Sequence, residues 1–168
     1  MGKIERTLVV LKPDAIGRSV IGEVISRFER AGLHIVGMKM VNPDAEFFKG
    51  HYEGIGQLGT RKGEKVLNRV VNDMMATPVL AMVIEGVEVI EYVRKIVGPT
   101  EPKSAAPGTI RGDFAHISYA YVDNNPSASV YNLIHASADA GEAEQEIKHW
   151  FKDEEMFNHE PIHKAFTR

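Results

Sequence analysis

Seven histidines are spread through the chain, and one of them keeps unusual company. His135 follows the apolar pair Leu133-Ile134, with Asn132 three residues before it and Ser137 two residues after it. If that run is a strand, residues two apart share a face, so Ser137 lies beside the imidazole. Downstream, Glu146 falls on the edge of a helical stripe formed by Ala143, Ile147 and Trp150. A carboxylate turned toward the strand would hydrogen-bond one ring nitrogen, fix the tautomer and leave the other nitrogen free to attack. Spacing alone favours the plainer alternative for Glu146, a solvated acid on the helix flank. The other histidines read as surface or satisfied core residues. His34 falls in a strand, His149 in a helix, His116 in a neutral extended segment, and His51, His159 and His163 in polar surroundings.

Three cations stand beside chain-breaking residues: Lys12 before Pro13, Arg94 ahead of Gly98-Pro99, and Arg111 within Gly108-Thr109-Ile110-Arg111-Gly112-Asp113. Arginine forks match phosphate oxygens two at a time, and lysine supplies a point charge. Taken singly, each is as readily a surface charge. The sequence has no Walker A, G-x-G-x-x-G, H-E-x-x-H or G-x-S-x-G motif, so a phosphate site must be built from side chains rather than a glycine cradle. A histidine with such cations suits phosphoryl transfer, where positioning and electrostatics do most of the work.

The elements that must hold these residues follow from periodicity. Thr7 to Leu11 is a short β-rich run stopped by Pro13. Ser19 opens a helix with Val20, Ile21, Val24, Ile25, Phe28 and Ala31 on one face, ended by Gly32. Residues 33–41 read as a strand, 44–52 as a short helical piece, and 53–63 as a loop. Glu64 to Met75 is an amphipathic helix, and Val79 to Ile84 a strand buried on both faces. Val87, Ile90, Val93, Arg94 and Val97 mark another helix, closed by Gly98-Pro99. Residues 102–112 look loop-like, 114–121 extended, and 132–136 the last strand, before a final helix to Phe151. The alternation predicts a ferredoxin-like split βαβ class, an α+β sandwich whose antiparallel sheet is covered on one side by helices. No repeat or linker interrupts it, so residues 1–168 read as a single domain.

Composition narrows the function. The 168 residues are 43% hydrophobic and 26% charged, enough for a core without staples. A net charge of -3 argues against a dedicated nucleic-acid binder, and the absence of Cys excludes disulfides and thiol chemistry. No apolar leader precedes the first strand, and the longest apolar runs fall far short of a membrane span. The expectation is a cytoplasmic protein with no membrane association.

Four separated stretches and the last helix resemble the nucleoside diphosphate kinases. They are residues 5–14 with Lys12-Pro13-Asp14, the pair His51-Tyr52, residues 103–114 with Thr109-Ile110-Arg111-Gly112-Asp113-Phe114, residues 132–137, and the helix from Gly141 to Phe151. The similarity spans almost the whole chain in family order. It implies a ping-pong enzyme in which a nucleoside triphosphate, usually ATP with Mg²⁺, passes its γ-phosphoryl group to a histidine and a nucleoside diphosphate then takes it, maintaining nucleotide pools. By this resemblance His135 is the phosphorylated nucleophile, attacking through Nδ1, with Glu146 on its other nitrogen and Ser137 in support. Lys12 and Tyr52 fall near the transferred group, and Arg94, Thr100, Arg111 and Asn132 on phosphates and sugar. Mg²⁺ is carried mainly by the nucleotide phosphates and needs few protein ligands, so no residue is assigned to it. The family fold is the ferredoxin-like sandwich with a four-stranded antiparallel sheet, assembled into homo-oligomers, hexamers or tetramers.

Departures accompany the match. Ala136 stands where many members carry Gly, Ala138 where many carry Asp, and Pro99 where an acid is common. Two regions, within 53–77 and 115–131, are longer than in compact members and resemble the extended loops of archaeal ones. The first normally supplies an aromatic that stacks on the base, yet no Phe or Tyr lies between Gly54 and Pro78, leaving Leu58 or Val66 as candidates.

Overall fold

Runs of consecutive buried residues locate the centre of the molecule in the computed structural model, which describes residues 2–167. Thr7 to Leu11 in β1 (Ile4–Leu11) and Val79 to Ile84 in β3 (Val79–Val87) are buried at every position. Strands without a polar face cannot lie at a solvated edge, and these two pair with each other in the middle of the sheet. β2 (His34–Val41) pairs with β3 and β4 (Ile134–Ala136) with β1, giving the order β2-β3-β1-β4 with every pair antiparallel. This is the ferredoxin-like split βαβ arrangement.

Alternate residues of β1 point into two cores. Val9 and Leu11 meet Val24 and Phe28 of α2 (Ile21–Arg30) and Val89, Val93 and Val97 of α6 (Val89–Val97). Leu8 and Val10 meet Phe48 of α3 (Ala45–Lys49), Leu67 and Val71 of α5 (Glu64–Met74), and Trp150 of α9 (Ala140–Trp150). Helices therefore cover both faces of the sheet. The one-sided cover read from the pattern is corrected, and the cause was already visible in the unbroken apolar runs, which need shelter on both sides.

Several smaller readings are also corrected. Ser19 does not cap α2; it adopts φ +56, and Val20 precedes the helix. The short helix α1 (Pro13–Gly17) lies between β1 and α2. The region read as a loop contains a π-helical turn at Gly50–Ile55 and the helix α4 (Leu58–Lys62). Between Pro102 and Asp123, a 3₁₀ turn at Pro102–Ser104 is followed by α7 (Ile110–Phe114) and α8 (Tyr119–Asp123), so the extended reading of 114–121 holds only for the link between the helices. α7 begins where the Thr109 hydroxyl accepts the Gly112 N–H at 3.0 Å. The tail adds a 3₁₀ turn at Asp153–Glu155 and α10 (Lys164–Thr167).

Candidate active site

β4 is short because the chain enters it through a strained residue. Leu133 is fully buried at φ +64, a conformation costly for a side chain and concentrated at functional sites. The kink is pinned on both sides: Leu133 N–H donates to Asp14 Oδ2 at 2.9 Å, and its carbonyl accepts from Lys12 N at 2.8 Å. Residues 132–133 of the predicted strand thus lie outside β4. The turn holds Asn132 against the end of β1, where its Oδ1 accepts from Lys12 Nζ at 2.8 Å. Asn132 Nδ2 donates to the carbonyl of Thr100 at 2.9 Å, so Thr100 joins the site through its backbone while its side chain stays exposed.

Arg111 is the clamp of the region. Its Nε donates to Asn132 O at 3.2 Å, Nη1 to Gly98 O at 2.9 Å and Nη2 to Ile134 O at 2.6 Å. One N–H remains on each terminal nitrogen for a ligand. Gly98 permits this approach with φ +85, and a Cβ there would lie 2.8 Å from Thr109 Oγ1. Arg94 is exposed on α6, with Nη1 3.4 Å from the carbonyl of Ala136.

His135 pairs with Val10 in the sheet, and its Nε2 is 2.8 Å from Glu146 Oε1. A carboxylate only accepts, so the ring proton lies on Nε2 and the lone pair on Nδ1. Ser137 Oγ donates to Glu146 Oε2 at 2.6 Å and accepts the Leu8 N–H at 3.2 Å. Glu146 is 1% exposed, which overturns the solvated-flank reading. Its place in α9 explains why: Ala143, Glu146, Ile147 and Trp150 form one buried stripe at helical spacing, and Glu146 points into the sheet with them.

Electrostatics favour a neutral nucleophile among cations. Burial, reinforced by Lys12, Arg111 and Arg94, holds His135 far below the ordinary histidine range, with Glu142 opposing. Burial and Arg111 lower Lys12 to about 8. Burial raises the Glu146 carboxyl while His51 and Ser137 counter it. Tyr52 is buried, its ring centroid 6.2 Å from that of His135, and burial followed by Glu146 raises its phenol. The Tyr52 hydroxyl has no hydrogen-bond partner among the described residues. A buried hydroxyl left so is costly and marks where a polar ligand would sit.

The structure thus brings together Lys12, Tyr52, Arg111, Asn132, His135, Ser137 and Glu146, with Arg94 and Thr100 at the rim. It adds His51, assigned above to polar surroundings. His51 is 1% exposed, its ring centroid 4.6 Å from that of His135. The signal was present: Phe48, His51 and Tyr52 are spaced as one helical face. His34 and His159 face each other far along the chain, Nε2 to Nε2 at 2.7 Å, and His149 stacks on Phe47. His116 is exposed. Of the candidates for the base, Leu58 packs against the core of α5 and Val66 faces solvent.

Fold and site define a class: a split βαβ sandwich whose edge strand carries a carboxylate-held histidine, its free nitrogen set among cations. Comparison with known proteins agrees. Residues 5–156 match the family model described as nucleoside diphosphate kinase. A nucleoside diphosphate kinase from Borreliella burgdorferi is 47% identical over 93% of this chain and 92% of its own length. One from Pyrococcus furiosus is 45% identical over 95% of this chain and 90% of its own. A solved structure of the Borrelia burgdorferi enzyme, a transition-state mimic with vanadate and ADP, superimposes with a TM-score of 0.92 at 44% identity, covering 98% of this chain and 96% of that one. The Halobacterium salinarum enzyme with CDP gives 0.83 at 34% identity, covering 98% of each chain. The chain belongs to the nucleoside diphosphate kinase family.

Proposed function

We propose that this protein transfers the γ-phosphoryl group of a nucleoside triphosphate to a nucleoside diphosphate through a phosphohistidine on His135. The observation that carries the reading is the 2.8 Å contact of His135 Nε2 with buried Glu146, which leaves Nδ1 unprotonated beside Lys12 and Arg111. In the first half-reaction the Nδ1 lone pair forms a bond to Pγ. The bond from Pγ to the β–γ bridging oxygen breaks, and its electron pair leaves with the diphosphate. In the second, a terminal oxygen of another nucleoside diphosphate attacks the phosphorus and the N–P bond breaks, restoring the lone pair. Lys12, Arg94 and Arg111 offset charge on the phosphate oxygens, with Asn132 and Thr100 at the sugar and phosphates, and the Tyr52 hydroxyl beside the transferred group.

Mg²⁺ belongs to this reading as a passenger of the nucleotide, neutralising phosphate charge when bound. The donor set fits that role. Asp14 and Asp73, the acids bearing on Lys12, are engaged by Leu133 N–H and Ser129 Oγ. The cluster His51, His135 and Glu146 is buried and rich in nitrogen, unlike the six-oxygen shell that magnesium demands.

The reading also includes a single domain over 1–168, a cytoplasmic location and a homo-oligomer, tetramer or hexamer. No described helix is long and apolar enough to cross a membrane. The end strand β2 exposes Met38 and Met40, which supports association. The central test is labelling with γ-labelled ATP. It is expected to give an acid-labile, base-stable phosphoenzyme discharged by GDP, with both steps abolished in His135→Ala. Labelling and turnover that survive this substitution would remove His135 as nucleophile.

A further inference from the structure

His51 is buried as deeply as Glu146, yet phosphoryl transfer as set out above makes no use of it. It lies on the π-helical turn Gly50–Ile55, a form of backbone that recurs at functional sites. Here the turn sends His51 and Tyr52 inward together. The His51 ring stands edge-on to His135 at 83°, and edge-on to Tyr52 with centroids 4.6 Å apart. It is a wedge between nucleophile and tyrosine.

The protonation of that wedge is set from behind. His51 Nδ1 accepts the indole N–H of Trp150 at 3.1 Å. An indole nitrogen only donates, so Nδ1 carries the lone pair and the proton of the neutral ring is on Nε2. The same Nδ1 lies 3.5 Å from Glu146 Oε1, the oxygen that accepts from His135. No proton lies between these two acceptors. A proton on Nδ1 would turn the contact into an ion pair competing with His135 for Oε1, and would place a cation against the nucleophile's ring. The charged or titratable groups bearing on His51 are Glu146 and His149 from α9, His135 from β4 and Lys12 at the end of β1, with Tyr52 on its own turn. Burial and His135 push against a charge on His51, and Glu146 alone of these groups favours one.

We propose that His51 is a positioning residue for phosphoryl transfer, its Nδ1 lone pair occupied by the Trp150 indole so that Glu146 Oε1 serves His135 alone. The proposal rests on His135 being the nucleophile. Trp150→Phe keeps an aromatic ring and removes the N–H. The Nδ1 lone pair is then released, so the neutral ring can carry its proton on Nδ1, toward Glu146 Oε1, while burial still opposes a charged ring. The rate of phosphoenzyme formation is expected to fall about tenfold relative to wild type, the weight of about one hydrogen bond. In the double variant Trp150→Phe, His51→Phe the competing proton is gone and most of that loss is expected to be recovered. A Trp150→Phe rate equal to wild type, or a double variant no faster than the single one, would assign His51 to packing and overturn the proposal. Nitrogen-15 NMR of wild-type histidines makes the test without a substitution. The neutral Nε2–H tautomer is expected for His51 at and below neutral pH, and an Nδ1–H or charged ring overturns the proposal. Labelling of His135→Ala in parallel separates the two readings: if it persists the nucleophile is wrong, whereas a double variant that recovers nothing, with His135→Ala inert, removes only the part of His51.

Discussion

Burial and the neighbouring Arg111 lower the Lys12 ammonium to about 8, against the pull of Asp14 and Asp73. A lysine with a lowered value loses its charge as pH rises through that value, so the empty site loses a phosphate-binding cation above about pH 8. kcat/KM, which reports the free enzyme, is expected to fall there. kcat should persist to higher pH, because bound phosphates restore the charged form. Lys12→Arg keeps its charge and should remove the alkaline limb, at a lower plateau. An unchanged limb in that variant would assign the titration elsewhere. Glu146→Gln tests the support of the nucleophile. The amide oxygen can still accept from His135, and the amide nitrogen can donate to Ser137, whose hydroxyl can swing to Leu8 O at 3.5 Å. The fold is retained and charge assistance is lost, which predicts a decrease in kcat of about 10- to 100-fold. Pre-steady-state labelling measures it. His135 and the three cations were legible from the company they keep in the sequence. The burial of Glu146 was not, because an acid on an apolar stripe can be interpreted only once Ser137 and His135 are placed opposite it.

At the scale of elements, the strands were legible, and so were the helices α2, α5, α6 and α9, these helices being nine residues or longer with an apolar period. The helices α1, α4, α7 and α8 have five residues each, under two turns, and so short a piece leaves almost no period to read, whereas α3, equally short, was read within 44–52. One of them, α8, lies in the insertion within 115–131. On one side Tyr119 N donates to Glu101 Oε1 at 2.9 Å and Lys103 N to Ile117 O at 3.2 Å. On the other, Ser129 Oγ donates to Asp73 Oδ1 of α5 at 2.8 Å. The segment thus ties the loop after α6 to α5, with the Tyr119 phenol in electrostatic reach of Arg111. Burial raises the Asp73 carboxyl and the Ser129 bond opposes it, so the link counts for more than an exposed one. Ser129→Ala should cost about 1–3 kcal/mol at this joint. Faster hydrogen exchange over 119–131 and a KM for nucleoside diphosphate raised severalfold are the expected readouts. Unchanged exchange would show that the segment is held by other contacts.

For the whole molecule, the two cores share β1 and β3, so neither can be lost without exposing the inner strands of the other. Phe28 and Phe48 are both fully buried, one in each core. Truncating either to Ala is expected to cost about 3–5 kcal/mol, a large share of the stability of a chain this size. At about 2–4 °C per kcal/mol, each melting temperature should drop by about 6–20 °C. The transition should stay single in calorimetry, because the sheet couples the layers. The two variants should nevertheless differ in activity below their transitions. Phe48 lies one helical turn before His51 and Tyr52, and packs in the core with Trp150 behind the nucleophile. Phe28 lies on α2, on the other side of the sheet. Phe48→Ala should therefore lose phosphoryl transfer at temperatures where it is fully folded, and Phe28→Ala should retain it. Two resolved transitions in either variant would mean that the layers unfold separately, and equal activity losses would mean that the site is held by the sheet rather than by the core behind it.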